Sequence, residues 1–176
     1  MSGAPVIEIA DPSLVVLIGA AGSGKSTFAG RHFAPGEVLS SDAFRGSISG
    51  DPADQSVTRP AFRALHRSLE RRLAAGRLTV VDATNVEARA RRELLRRAAA
   101  AGVPSVAIVL DLPRSTVHAR NARRAGRVVP PEVVDRQLGD LARSIASGAL
   151  MREGFASVLH LTDPSEVNAV EVRLTR

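Results

Sequence analysis

The chain has 176 residues, 44% hydrophobic and 24% charged, which suits one folded domain of ordinary size and excludes an intrinsically disordered chain. It has no cysteine, so disulfides, thiolate zinc sites, iron–sulfur clusters and cysteine nucleophiles are ruled out, and a reducing cytoplasmic home is expected. The net charge is +6, and all but one of the 24 basic residues are arginine. That basicity has two readings, GC-rich codon usage or a surface that attracts a polyanion. Under either, the single lysine, Lys25, is expected to do something a guanidinium cannot.

Leu14–Ile18 is a continuous apolar run, as expected of a strand buried on both faces of a parallel sheet. Residues 19–27 form a glycine-rich turn, and 28–33 continue as a short helix that Pro35-Gly36 stops. Residues 37–40 read as a second strand and 46–54 as loop. Residues 60–75 have helical spacing, with Phe62, Leu65, Leu69 and Leu73 on one stripe. A third strand spans 78–81, followed by a helix over 87–101 and a fourth strand over 106–110. Residues 115–124 are helical, Ala125-Gly126-Arg127 breaks them, and Pro130-Pro131 opens a helix over 132–147. Residues 158–161 and 170–174 are candidate closing strands. Strands alternating with helices predict one α/β domain over 1–176, a parallel sheet with helices on both faces. The apolar run Leu14–Ala21 is too short to span a bilayer. Met1–Pro5 carries no basic stretch of the kind that opens a secretory leader.

Gly19-Ala20-Ala21-Gly22-Ser23-Gly24-Lys25-Ser26 fits G-x-x-x-x-G-K-[ST], between a predicted strand and a predicted helix. Glycines there let backbone N–H groups turn inward around phosphate oxygens, and the helix opening near Lys25 adds its positive end. Lys25 is expected to bring a compact ammonium to the β- and γ-phosphates, and Ser26 a hydroxyl to Mg²⁺. Gly19–Thr27 is therefore the expected binding loop for ATP or another nucleoside triphosphate, with magnesium.

The motif leaves the acceptor open. Ligands of open α/β sheets bind beyond the carboxyl ends of the strands, which draws attention to Ser40-Ser41-Asp42-Ala43-Phe44-Arg45. Asp42 can serve as the base for an incoming hydroxyl or as a helix cap. Arg45 would share its face on a short helix. Phe44 can stack on an acceptor base or pack in the core. Asp82, ending the third strand, fits a magnesium ligand, directly or through water, or an Asx turn, and Asn85 would orient either the acceptor or its own loop. Arg120, Arg124 and Arg127 flank a glycine break before a proline-capped helix. Such an arrangement fits a lid over the phosphates at about residues 120–131, or a solvated basic face. The four histidines show no metal-ligand spacing.

Together the phosphate loop, Ser41-Asp42-x-x-Arg45, Asp82-x-Thr84-Asn85 and the Arg120/Arg124/Arg127 set resemble the phage and bacterial polynucleotide 5′-kinases. The chain looks in particular like the kinase module of bacterial RNA-repair polynucleotide kinase–phosphatases. The likeness runs from about Leu14 to Ile145. It implies a P-loop NTPase fold with an arginine-rich helical lid and an activity that moves the γ-phosphoryl of ATP to the 5′-hydroxyl end of RNA or DNA. It also implies that Asp42 is the general base, Arg45 contacts the acceptor phosphate, and the lid arginines bind donor phosphates. The family's phosphatase and ligase domains find no room here, so an end-healing partner would be a separate polypeptide. Self-association as a homodimer is left open, and no membrane partner is expected. The alternatives are a kinase of a small metabolite or nucleotide and a non-catalytic nucleotide-binding regulatory module.

Overall fold

The computed structural model describes residues 4–176, so Met1–Gly3 of the leader reading lie outside the described residues. A five-stranded sheet, all parallel, has the strand order β3-β4-β2-β5-β6, with β2 at Leu14–Ile18, β3 at Val38–Ser40, β4 at Thr79–Asp82, β5 at Ser105–Leu110 and β6 at Ser157–Leu161. The first strand of the sheet is thus central, with the third on one side and the fourth on the other. That reversal of direction opens a crevice above the carboxyl end of β2, where ligands of such sheets sit.

Every residue of β2 is buried, and its side chains alternate between two cores. Val15 and Leu17 join Phe28 and Phe33 from α1 (Lys25–His32) and Val117 from α5 (Arg114–Ala122). Leu14, Val16 and Ile18 join Leu65, Leu69 and Leu73 of α3 (Thr58–Ala74), Leu94 of α4 (Ala88–Ala100) and Leu141 of α6 (Pro131–Ala146). The apolar stripe expected on α3 is the stripe that packs. The result is a P-loop NTPase fold, a parallel sheet covered by helices on both faces. Among the described residues no helix is long and apolar enough to cross a membrane.

Three expectations need correction. Residues 46–49 are not loop: they complete α2 (Ser41–Ser49), which Ser40 caps by accepting from the Ala43 N–H at 3.3 Å and Gly50 ends at φ 81°. Their glycine and serines are outweighed by a capped first turn and an Asp42–Arg45 pair one turn apart. Residues 170–174 do not close the main sheet. β7 (Glu171–Thr175) pairs in parallel with β1 (Val6–Ala10), a strand absent from the expectations, in a separate two-stranded sheet. β1 turns Ile7 and Ile9 into the core and leaves Val6, Glu8 and Ala10 outside, a period-two pattern that Val-Ile-Glu-Ile-Ala does carry. The helix expected through residue 124 ends at Ala122, which puts Arg124 and Arg127 on the loop before α6. Two short helices, α7 (Ala149–Arg152) and α8 (Pro164–Ala169), also went unforeseen.

Candidate active site

A cleft of about 510 Å³ lies above the carboxyl ends of β2, β3 and β4. Its floor is the loop 19–24. Gly22 has φ 89°, and a Cβ there would stand 2.6 Å from the Val117 carbonyl oxygen, so only glycine lets the loop pack against α5. Gly24, at φ 94°, directs the chain into α1, whose first residue is Lys25.

Lys25 is 9% exposed. Its ammonium donates to the Ala20 carbonyl at 2.9 Å and to Ser23 Oγ at 3.5 Å. Burial pushes its pKa down to about 8; Asp82 and Asp42 pull it back up and Arg124 adds to the lowering. A cation held at such a cost in solvation is poised for an anion. Ser26 Oγ donates to Asp82 Oδ2 at 2.6 Å, which brings a hydroxyl and a carboxylate together beside that ammonium. Both are hard oxygen ligands of the sort Mg²⁺ takes, and no group of three or more His, Cys, Asp or Glu that could hold a metal occurs among the described residues. A magnesium ion here would rest on Ser26 and Asp82, its remaining positions going to donor phosphates and water.

The opposite wall is α2. Because Ser40 provides the cap, Asp42 is free of that duty, and its side chain, 38% exposed, stands in the cleft lining. Arg45 is 5% exposed and held three ways, by Asp42 Oδ1, by Ser41 Oγ at 3.4 Å and by the Pro52 carbonyl at 3.2 Å. The loop 123–130 between α5 and α6, where a lid was expected, brings Arg124 within 3.7 Å of Asp42 Oδ2. Arg127 feels Arg45, Asp42 and Arg124; burial first, then its neighbouring guanidinium groups, lowers its pKa. Arg120 Nη1 reaches the Ser23 carbonyl at 3.5 Å, and Arg123, not singled out in the sequence, also lines the cleft. Asn121 clasps the two ends of the lid loop: its Nδ2 donates to the Val129 carbonyl at 2.7 Å and its Oδ1 accepts from the Val129 N–H at 3.1 Å.

Lys25, Ser26, Thr27, Asp42, Arg45, Asp82, Arg120, Arg124 and Arg127 therefore share one cleft, with Ala21, Gly22 and Gly24 beneath them. Ala20 is fully buried, and it enters through its carbonyl. For two residues with two expected roles, the structure favours the one away from the acceptor. Phe44 packs against the α3 side of the core and does not line the cleft. Asn85 is buried at φ 49°, with its amide nitrogen donating to the Leu17 carbonyl at 2.8 Å and the Ala83 carbonyl at 3.2 Å. It orients its own loop. Arg91 secures that loop from below through the Asn85 and Val86 carbonyls, and its charge is met by Glu153 at 2.6 Å. Gln137 of α6, whose side-chain oxygen accepts from the Ala21 N–H at 2.9 Å, had no sequence signal at all.

No curated protein matches the chain. Among solved structures, a chain of the Pnkp1/Rnl/Hen1 RNA repair complex is similar with a TM-score of 0.65 at 21% identity, over 84% of this chain and 47% of that one. The present chain thus spans about half the length of that relative. A sugar kinase from Janibacter sp. is similar with a TM-score of 0.53 at 25% identity, over 74% of this chain and 78% of that one. Shikimate kinase from Acinetobacter baumannii is similar with a TM-score of 0.53 at 21% identity, over 89% and 88%. The fold they share with this chain is that of P-loop kinases. Residues 14–146, well over half of the chain, match the family model described as an AAA domain, AAA_33. The chain belongs to that family.

Proposed function

We propose that the protein is a kinase that transfers the γ-phosphoryl of ATP, or another nucleoside triphosphate, to the 5′-hydroxyl end of a polynucleotide. The observation that carries the reading is the pairing of Asp42 and Arg45 on α2, facing Lys25 and the lid arginines across one cleft. Asp42 takes the proton of the acceptor hydroxyl as it attacks. Arg45, already anchored by Ser41 and Pro52, offers a planar guanidinium to the phosphate on the 3′ side of the terminal nucleoside. Lys25, Arg124 and Arg127 meet the charge that spreads over the transferring group. Mg²⁺ at Ser26 and Asp82 would neutralise donor phosphate charge when bound. Binding of the acceptor competes with the Arg124–Asp42 contact, so the lid arginine is released toward the donor as the base engages its substrate. The RNA repair complex among the similar structures supports this acceptor class. The same likeness fits a partner polypeptide, a phosphatase or a ligase, acting with it in end healing.

The competing acceptor is a small metabolite, for which the sugar and shikimate kinases among the neighbours speak. Incubation with labelled ATP, magnesium and 5′-hydroxyl oligonucleotides of RNA and DNA separates the two. Label on the 5′ end is the expected result. Unlabelled RNA and DNA at saturating donor would contradict the reading and return the acceptor to the metabolite class.

A further inference from the structure

Gln137 lies in α6, the helix that follows the lid, and lines the cleft. The orientation of its side-chain amide is fixed by chemistry. A backbone N–H can only donate, so the atom facing the Ala21 N–H at 2.9 Å is the oxygen, and the Nε2 hydrogens point elsewhere. No atom among the described residues accepts from Nε2. The peptide unit that Gln137 holds is also held by Lys25: Ala20 supplies its carbonyl, to which Lys25 Nζ donates at 2.9 Å, and Ala21 supplies its N–H. The ammonium and the amide thus address opposite poles of one peptide. Gln137 and Ala21 line the same cleft as Lys25, and the lysine of such a loop reaches the β- and γ-phosphates, so Gln137 stands beside the donor phosphates.

We infer that Gln137 is a donor-contacting residue: with Oε1 anchored on the Ala21 N–H, Nε2 donates to an oxygen of the γ-phosphoryl and joins the lid-side helix to the loaded loop. The inference rests on the donor half of the proposed function and is independent of the acceptor. The contact distinguishes a nucleoside triphosphate from a diphosphate, because only the former reaches it.

Substitution Gln137→Glu isolates the contact. It keeps the oxygen that accepts from the Ala21 N–H and turns the remaining amide donor into an anionic oxygen. Titration calorimetry with magnesium and either ADP or a non-hydrolysable ATP analogue is the measurement, on the wild type, Gln137→Glu and Gln137→Ala, with thermal midpoints recorded alongside. A hydrogen bond to a charged group corresponds to roughly 10–100-fold in affinity, so Gln137→Glu should lose at least that for the triphosphate analogue, with Gln137→Ala losing less. ADP binding should stay within about twofold in both, since the anchor on the loop is not what ADP reads. Wild-type affinity of Gln137→Glu for the triphosphate analogue would overturn the inference and leave Gln137 a prop. A parallel loss for ADP and the analogue would overturn it too. A wild type that binds neither nucleotide would remove the donor site altogether. If the binding results hold while oligonucleotides remain unlabelled, only the acceptor half of the proposed function fails.

Discussion

On the phosphate-loop side of the cleft the lining comes mainly from one contiguous run, shaped by glycines and carrying a lysine that is itself buried; on the α2 and lid side it is made of side chains drawn from three separate elements. The first wall is fixed by close packing and main-chain bonds, with Gly22 against α5 and the Ala20–Ala21 peptide held at both poles. The second is held by ion pairs that a ligand can replace, such as Arg124 with Asp42. A site made of backbone has to be written as one contiguous motif, whereas a site made of side chains can be assembled from anywhere in the chain. On the proposed function the first wall binds the donor while the second chooses the acceptor and stabilises charge, and each role can be broken separately.

The largest effect is expected at the buried lysine. Lys25→Met should lower phosphoryl transfer by ~10³–10⁵-fold, the scale on which cations at a transferring phosphoryl group act. The fold should not suffer. With its pKa lowered from 10.5 to about 8, Lys25 in the unfolded chain binds a proton that the folded chain has lost between those values. Stability therefore rises with pH across that window, and below it the buried charge is a burden. Thermal melts at pH 7 should show Lys25→Met at or above the wild-type midpoint; a large drop would mean that the lysine supports the core instead.

Asp42→Asn comes next. It removes the base but not the cap, which is Ser40, so turnover should fall ~10²–10⁴-fold while nucleotide affinity holds. Loss of nucleotide affinity with a surviving rate would move Asp42 to the donor wall and erase the distinction between the two. Arg124→Ala and Arg127→Ala should lower turnover with any acceptor by up to ~10³-fold, again with the nucleotide still bound. Unchanged turnover in both would reduce the lid to a solvated basic face.

A pH series sharpens the donor wall. Phosphates favour the charged form of Lys25, so binding above pH 8 takes up a proton, and donor affinity should fall by up to about tenfold per pH unit there while staying flat below. Calorimetry in buffers of different ionisation enthalpy reads that proton directly. The smallest effect is expected of Asn121→Ala, which frees the buried ends of the lid loop and should cost about 1–3 kcal/mol in stability, measured by denaturant unfolding.

Legibility in the sequence follows the same division. The phosphate loop, the fully buried β2 and the stripe of α3 could be read because each lies in a few consecutive residues or one helical period. Asp42, Arg45 and the lid arginines could be picked out as candidates, but not their convergence, which depends on α2, the lid loop and α1 meeting above the sheet. What stayed hidden depends on pairs distant in the chain. Gln137 meets Ala21 only after α6 packs, and Arg91 meets Glu153 across α4 and the segment after α7. β1 finds its partner at the far end of the chain, in β7; residues 170–174 could be read as a strand, but not the strand they pair with. For Asn85 two readings stood open because an Asn beyond a strand looks the same whether it faces the cleft or turns under it; its positive φ and two carbonyl partners decide for the latter.

The claim that the α2 wall selects a polynucleotide end is tested most directly by the acceptor preference of the wild type. The measurement is the rate of label transfer from ATP, at saturating donor and magnesium, to a nucleoside 3′-monophosphate, to a short 5′-hydroxyl oligonucleotide and to the corresponding free nucleoside. All three present the same 5′-hydroxyl, but only the first two present the phosphate that Arg45 is positioned to clamp, and misalignment of the hydroxyl costs rate as well as affinity. The monophosphate and the oligonucleotide should be phosphorylated at least ~10²-fold faster than the nucleoside. Equal rates for all three, or no transfer to any, would contradict the claim.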